Sequence, residues 1–170
     1  MMRIGHSTDM HRLKSGERLN IGGISIPSPY ESVGHSDADC LLHAISEALL
    51  GSLALGDLGS HFPDTDEINR NLDSKKILQF VHDMIKSRHY QINNIDSMIF
   101  LEKPKLNSYI EKMRETIAQL LDIALDSVSI KATTGEKRGL IGTNQMIVCE
   151  AVVLVTKRSD EDVRNKPWKL

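Results

Sequence analysis

Ten residues near the C-terminal end of the chain, Met146-Ile147-Val148-Cys149-Glu150-Ala151-Val152-Val153-Leu154-Val155, carry a single charge among nine apolar side chains. Five of the ten are β-branched, which favours an extended, pleated backbone. The run is half the ~20 residues needed to cross a bilayer, so it reads as a strand rather than a span. A chain that contains it has to build a sheet and cover it.

The rest of the sequence supplies the cover. Leu19-Asn20-Ile21 and Ile24-Ser25-Ile26 alternate apolar and polar across Gly22-Gly23, a two-residue hairpin signal because both glycines accept positive φ. From Ala38 to Leu50, apolar Leu41, Leu42, Ile45, Ala48 and Leu49 recur at helical spacing, with Gly51 placed to end the helix. Asp39, His43 and Glu47 share its polar face. Gly56 to Asp66 is rich in Gly, Pro and Asp and reads as a loop. Asp73 caps a helix carrying Ile77, Leu78, Val81, Met84 and Ile85, and a strand follows from about Ile95 to Leu101, broken by Glu102-Lys103-Pro104-Lys105. A third helix is expected from Ser108 to Leu121, then a strand from Val128 to Ala132 leading into Thr133-Thr134-Gly135-Glu136-Lys137. This alternation predicts an α+β fold, a mixed sheet with helices on one face. The expected boundaries are one catalytic domain over residues 1–157 and a charged tail over 158–170.

Composition narrows the function. With 170 residues and 40% hydrophobic content the chain buries one core of ordinary size. A formal charge of −2 and 4% aromatic residues provide neither a basic stripe nor a stacking platform for nucleic acid. No apolar run approaches membrane-spanning length and no long apolar leader opens the chain, so a soluble, cytoplasmic protein without membrane partners is expected. Cys40 and Cys149 suit two reduced, buried thiols better than a disulfide. Cys40 is also a conceivable soft ligand beside His43.

The polar residues point to a metal. Asp9 and His11, at i and i+2, face the same side of an extended segment, and His43 from the helix is available as a third ligand. Asp, His and His without a thiolate leave a tetrahedral ion one position short, the composition of a working zinc site. By spacing alone, a satisfied His–Asp pair at a strand end competes with that reading.

Four blocks in register carry more information than the spacing. Arg3-Ile4-Gly5-His6-x-x-Asp9-x-His11-Arg12-Leu13, His35-Ser36-Asp37-Ala38-Asp39-x-Leu41-Leu42-His43-Ala44, Ala54-Leu55-Gly56-Asp57-Leu58-Gly59-x-x-Phe62-Pro63-Asp64-Thr65-Asp66 and Lys131-Ala132-Thr133-Thr134-x-Glu136-Lys137 closely resemble the 2-C-methyl-D-erythritol 2,4-cyclodiphosphate synthase family of the non-mevalonate isoprenoid pathway. The resemblance covers about residues 2 to 157. It implies a homotrimeric phosphorus–oxygen lyase with active sites between subunits. Such an enzyme takes 4-diphosphocytidyl-2-C-methyl-D-erythritol 2-phosphate to the cyclic diphosphate and CMP. It further implies Zn²⁺ on Asp9, His11 and His43, Mg²⁺ or Mn²⁺ on Glu136, and transition-state stabilisation by His35 and Thr134. Substrate contacts are implied for Ser36, Asp57, Leu58, Gly59, Phe62, Asp64 and Asp66 around the methylerythritol. For the cytidine diphosphate they are implied for Leu101, Pro104, Lys105, Leu106, Asn107, Thr133 and Gly135.

Each group has a plainer alternative. Turn chemistry accounts for Asp66 better than substrate contact does, and helix N-terminal charge compensation is as good a reading of Asp37 and Asp39 as a direct role. Leu140 and Thr143 stand where family members commonly carry Phe and Arg, and Ser7 stands for the motif glycine after His6. Two other functions fit a three-ligand zinc: a phosphoesterase in which metal-bound water attacks, and a non-catalytic zinc-stabilised module, the latter disfavoured by the open ligand count.

Overall fold

The computed structural model describes residues 1–63 and 65–159. Seven strands and five α-helices follow one another as β1 (Met2–Ser15), β2 (Arg18–Ile21), β3 (Ile24–Pro27), β4 (Tyr30–Val33), α1 (Cys40–Ser52), α2 (Leu58–His61), α3 (Ser74–Ser87), β5 (Tyr90–Phe100), α4 (Ile110–Leu121), β6 (Val128–Thr133), α5 (Gly139–Gly142) and β7 (Met146–Lys157). Two 3₁₀ turns, Glu67–Asn69 and Leu125–Ser127, lie between them.

The apolar run becomes the centre of a five-stranded sheet of order β4-β1-β7-β5-β6. β7 pairs antiparallel with both neighbours, and only β5 and β6 run parallel, joined through α4. The sheet is therefore mixed, as the sequence predicts. Ile147, Cys149, Ala151, Val153 and Val155 of β7 are buried, with α1 packed against β7 and β1, while α3 meets α1 and β5 and α4 meets β6. Among the described residues no helix crosses the opposite face. Ile4 is 69% exposed there, Met10 55% and Val152 43%, so alternate residues of β1 and β7 offer an apolar surface to solvent.

Two glycine placements fix the assembly. An added Cβ at Gly5 of β1 would lie 1.8 Å from the Ala48 carbonyl oxygen of α1, so strand and helix backbones meet where only a hydrogen fits. Gly22 and Gly23 have φ of 62° and 77°, the positive values that a tight hairpin turn requires. Their N–H groups donate to the Asp39 carboxylate at 2.9 and 2.7 Å, while Leu42 N of α1 donates to it at 3.0 Å. Asp39 thus caps α1 and docks the β2–β3 hairpin on the helix start.

Several expectations need correction. Asp39 is buried rather than on a polar helix face. Gly51 does not end α1; the helix runs on to Ser52, with Leu53 as its C-cap, because Gly51 has ordinary helical backbone and no steric reason to leave it. β5 starts five residues earlier than Ile95, since pairing with β7 extends it past a bulge between Ile92 and Asn94. The loop from Gly56 to Asp66 contains the short helix α2. The expected tail lies outside the described residues from 160 onward. Among the described residues no helix is long and apolar enough to cross a membrane.

The two glycines of the β1–α1 layer should respond oppositely to alanine. Gly5→Ala forces the backbones apart and is expected to cost about 3 kcal/mol, the upper end for overpacking. Gly51→Ala has open space around its Cβ and is expected to stabilise by about 0.4–1 kcal/mol through the unfolded chain. Denaturant midpoints of the two variants check the sign of each.

Candidate metal centre

β1 and α1 supply the three ligands. Asp9 and His11 alternate on the helix-covered side of β1, and His43 projects from α1 one turn after its Asp39 cap. Asp9 Oδ2 lies 3.1 Å from His11 Nε2 and 3.4 Å from His43 Nδ1, and the two nitrogens are 3.1 Å apart. Four-coordinate tetrahedral zinc with N and O ligands at about 2.0–2.1 Å separates those ligands by roughly 3.3–3.4 Å. The triangle has that size. Among the described residues it is the one His, Cys, Asp and Glu group whose ligand atoms converge.

Each remaining nitrogen is already committed. His11 Nδ1 faces the Val33 carbonyl at 3.2 Å, which can only accept, so the proton sits on Nδ1 and Nε2 is left bare. His43 Nε2 lies 2.9 Å from Ser74 Oγ and 3.1 Å from Ser36 Oγ, so Nδ1 is the atom that faces the cluster. Asp9 Oδ2 is buried and makes no hydrogen bond of acceptable angle. Burial alone would lift the Asp9 pKa, but the two imidazoles outweigh it and hold the carboxyl well below its usual range. Burial lowers the pKa of His11 and Asp9 raises it, with a net upward shift. Oxygen and nitrogen lone pairs crowded this closely call for a positive charge between them, and a divalent ion supplies it.

The triad opens into a cleft of about 420 Å³ lined also by His35, Ser36, Glu47, Leu58, Gly59 and Phe62. His35 Nε2 is buried there without a hydrogen-bond partner. Asp57, exposed, caps α2 by accepting from Ser60 N at 2.8 Å and Ser60 Oγ at 2.6 Å, bonds that lower its pKa. Asp66 caps the 3₁₀ turn through Ile68 N, as turn chemistry predicts. Asp64 lies outside the described residues. Two residues had no role from sequence: Glu47 Oε1 accepts from Leu58 N at 2.9 Å and so holds α2 over the cleft, and Phe80 meets Phe62 edge to face at 5.2 Å. Cys40 is no ligand. Its thiol donates to the Asp9 carbonyl at 3.3 Å and is buried; Cys149 lowers its pKa, but burial and the carboxylates of Asp9 and Asp39 outweigh that and leave it raised.

The other expected residues gather elsewhere. Leu101, Pro104, Lys105, Leu106, Asn107, Thr133 and Thr134 line a separate pocket of about 370 Å³ at the ends of β5 and β6. Thr134 Oγ1 donates to Glu136 Oε1 at 2.7 Å. Glu136 and Lys137 both have positive φ, and the turn is braced by Glu102, whose Oε2 accepts from Gly135 N at 3.1 Å and Lys137 N at 3.4 Å. β1 and β6 are three strand spacings apart, roughly 14 Å. One chain therefore presents two separate pockets, one holding the Asp9, His11 and His43 group, that share no lining residue.

The chain is similar to known proteins over most of its length. Residues 2–156 match the model of the YgbB family. A 2-C-methyl-D-erythritol 2,4-cyclodiphosphate synthase from Natranaerobius thermophilus is 52% identical over 156 residues, covering 92% of this chain and 99% of the relative. A solved structure of a 2C-methyl-D-erythritol-2,4-cyclodiphosphate synthase superimposes with a TM-score of 0.84 at 34% identity, covering 91% of this chain and all of that one. A Plasmodium falciparum homologue solved as a CDP complex superimposes with a TM-score of 0.82 at 29% identity, covering 93% and 97%.

His43→Ala removes one corner of the triangle and leaves the apolar face of α1 intact. The purified variant should stay folded and lose Zn²⁺ affinity by more than the 10–100-fold typical of an outer-shell change. Metal analysis after dialysis, beside a circular dichroism spectrum, measures both.

Proposed function

The chain belongs to the YgbB family of 2-C-methyl-D-erythritol 2,4-cyclodiphosphate synthases, and from that premise we propose how its residues carry out the reaction. The chain is a phosphorus–oxygen lyase of isoprenoid precursor synthesis, converting 4-diphosphocytidyl-2-C-methyl-D-erythritol 2-phosphate to the cyclic diphosphate and CMP. The hydrolytic alternative is not favoured, because the relatives named above are cyclising enzymes.

The observation that carries the mechanism is the convergence of Asp9 Oδ2, His11 Nε2 and His43 Nδ1 beside a cleft of about 420 Å³. Zn²⁺ held by these three, with Mg²⁺ or Mn²⁺ on Glu136, supplies charge and Lewis acidity to the phosphate oxygens. The nucleophile is the substrate's own 2-phosphate, anionic near neutral pH, so the protein needs no general base to create it. Its work is positioning, worth up to about 7–11 kcal/mol when the two ends of the substrate are held in attack geometry. The unpartnered Nε2 of His35 in the cleft lining supports a role as donor to a phosphate oxygen. Thr134 Oγ1 donates a hydrogen bond to Glu136 Oε1 in the free chain; with a cation held on Glu136, that hydroxyl would be available to the substrate. Leu58, Gly59, Phe62 and Asp57 enclose the methylerythritol, and Leu101 to Asn107 with Thr133 and Gly135 hold the cytidine diphosphate.

The two halves are completed between copies of the chain. What supports a homotrimer is the separation of the two pockets within one chain together with the uncovered apolar sheet face, since patches of that kind mark interfaces. Two inactive variants, His11→Ala and Thr134→Ala, should regain part of the parental CMP release when co-expressed, through mixed interfaces with both halves intact. Mixed oligomers no more active than either parent would defeat the shared site. In ¹⁸O-water the cyclic product should carry no solvent oxygen. Glu136→Gln should weaken the Mg²⁺ dependence of turnover while Zn²⁺ content holds, which metal titration of the rate reads directly.

A further inference from the structure

The geometry points to Ser74 as a positioning residue for His43, acting with Asp37; the inference rests on reading Asp9, His11 and His43 as a metal site. Ser74 opens α3 and is fully buried. Its hydroxyl forms a very short hydrogen bond to Asp37 Oδ1 and lies 2.9 Å from His43 Nε2. A hydroxyl has one proton, and an ionised carboxylate can only accept. The Ser74 proton therefore lies toward Asp37, and Ser74 turns a lone pair toward His43. Nε2 must then carry the hydrogen. A neutral imidazole holds one, so Nδ1 is left bare, aimed at His11 Nε2 and Asp9 Oδ2.

Asp37 is well placed for this task. Its N–H donates to the Leu72 carbonyl at 3.1 Å, its own carbonyl accepts from Asn20 at 3.3 Å, and its carboxylate accepts weakly from Asp39 N at 3.4 Å. Sequence made it a candidate helix N-terminal charge; the cap of α1 is Asp39, and the Asp37 side chain is turned to α3 instead. Ser36 also reaches His43 Nε2, but its oxygen accepts from Ala38 N and it lines the cleft, where substrate phosphate is expected. Ser74 does not line the cleft, so whatever it contributes reaches the metal through His43 alone. A carboxylate, a hydroxyl and an imidazole in series do here what a carboxylate bonded directly to a ligating histidine does elsewhere.

The test uses the full chain and Zn²⁺ or Co²⁺ as the probe. Ser74→Ala and Asp37→Asn should each lower Zn²⁺ affinity about 10- to 100-fold in competition with a chromophoric chelator. Both should also alter the visible spectrum of the Co²⁺-loaded protein. The double variant should lose no more than Ser74→Ala alone, because Asp37 acts through Ser74. Affinity within about twofold of the parent and an unchanged Co²⁺ spectrum for Ser74→Ala overturn the positioning role, and a multiplicative loss in the double variant overturns the series arrangement. If Ser74→Ala fails to fold, the isosteric Asp37→Asn decides by the same two readouts. A parent chain that takes up no Zn²⁺ overturns the metal site itself, and with it this inference.

Discussion

The carboxylate of Asp39 is the point on which the architecture turns. It is all but inaccessible to solvent, yet it sits against three backbone donors from two separate elements. Burial pushes its pKa up, and the N–H groups of Gly23, Leu42 and Gly22 oppose that rise by favouring the ionised form. Bonds to a charged acceptor are worth about 1.5–3 kcal/mol each, and losing the acceptor would leave buried donors with nothing to bond. The same carboxylate defines where α1 begins. His43 N bonds back to the Asp39 carbonyl, so the helix start also sets the direction in which the third ligand projects.

That arrangement explains which parts of the molecule were legible in the sequence. The Gly22-Gly23 hairpin, the apolar strand of β7 and the i, i+2 pair Asp9 and His11 depend on local periodicity and backbone freedom, and all are found where the pattern places them. His43 needed a long-range packing decision, β1 against α1, which spacing could not make and the four motif blocks in register did. Ser74, Glu47 and Glu102 were invisible for a physical reason: each acts by meeting atoms 11 to 37 residues away in sequence, and nothing in their own neighbourhoods encodes that. Gly51 misled because a glycine near a helix end usually marks a C-cap, whereas here the backbone stays helical through it.

The metal half is built almost wholly of acceptors turned inward, with donors kept behind them. His11 is pinned by a carbonyl and His43 by hydroxyls, so the protein fixes the protonation pattern before any ligand arrives. Burial works against the Asp9 charge and the two imidazoles outweigh it, so attraction within the triad helps to hold it together. Beneath it Leu41, Leu42, Ile45, Ala48 and Leu49 of α1 are fully packed and hold the site's geometry rigid.

Glu102 ties the segment that follows β5 to the turn that follows β6. One oxygen accepts both Gly135 N–H and Lys137 N–H, so residues 101–107 and 133–137 hang from a common anchor although 33 residues separate the bonded pair Glu102 and Gly135. Two segments that share an anchor do not reorient independently. Anything that settles one of them pays part of the ordering entropy of the other, and thermodynamic reciprocity makes the benefit equal in both directions. A single carboxylate oxygen thereby turns two neighbouring loops into one cooperative unit, with no moving domain and no second conformation required.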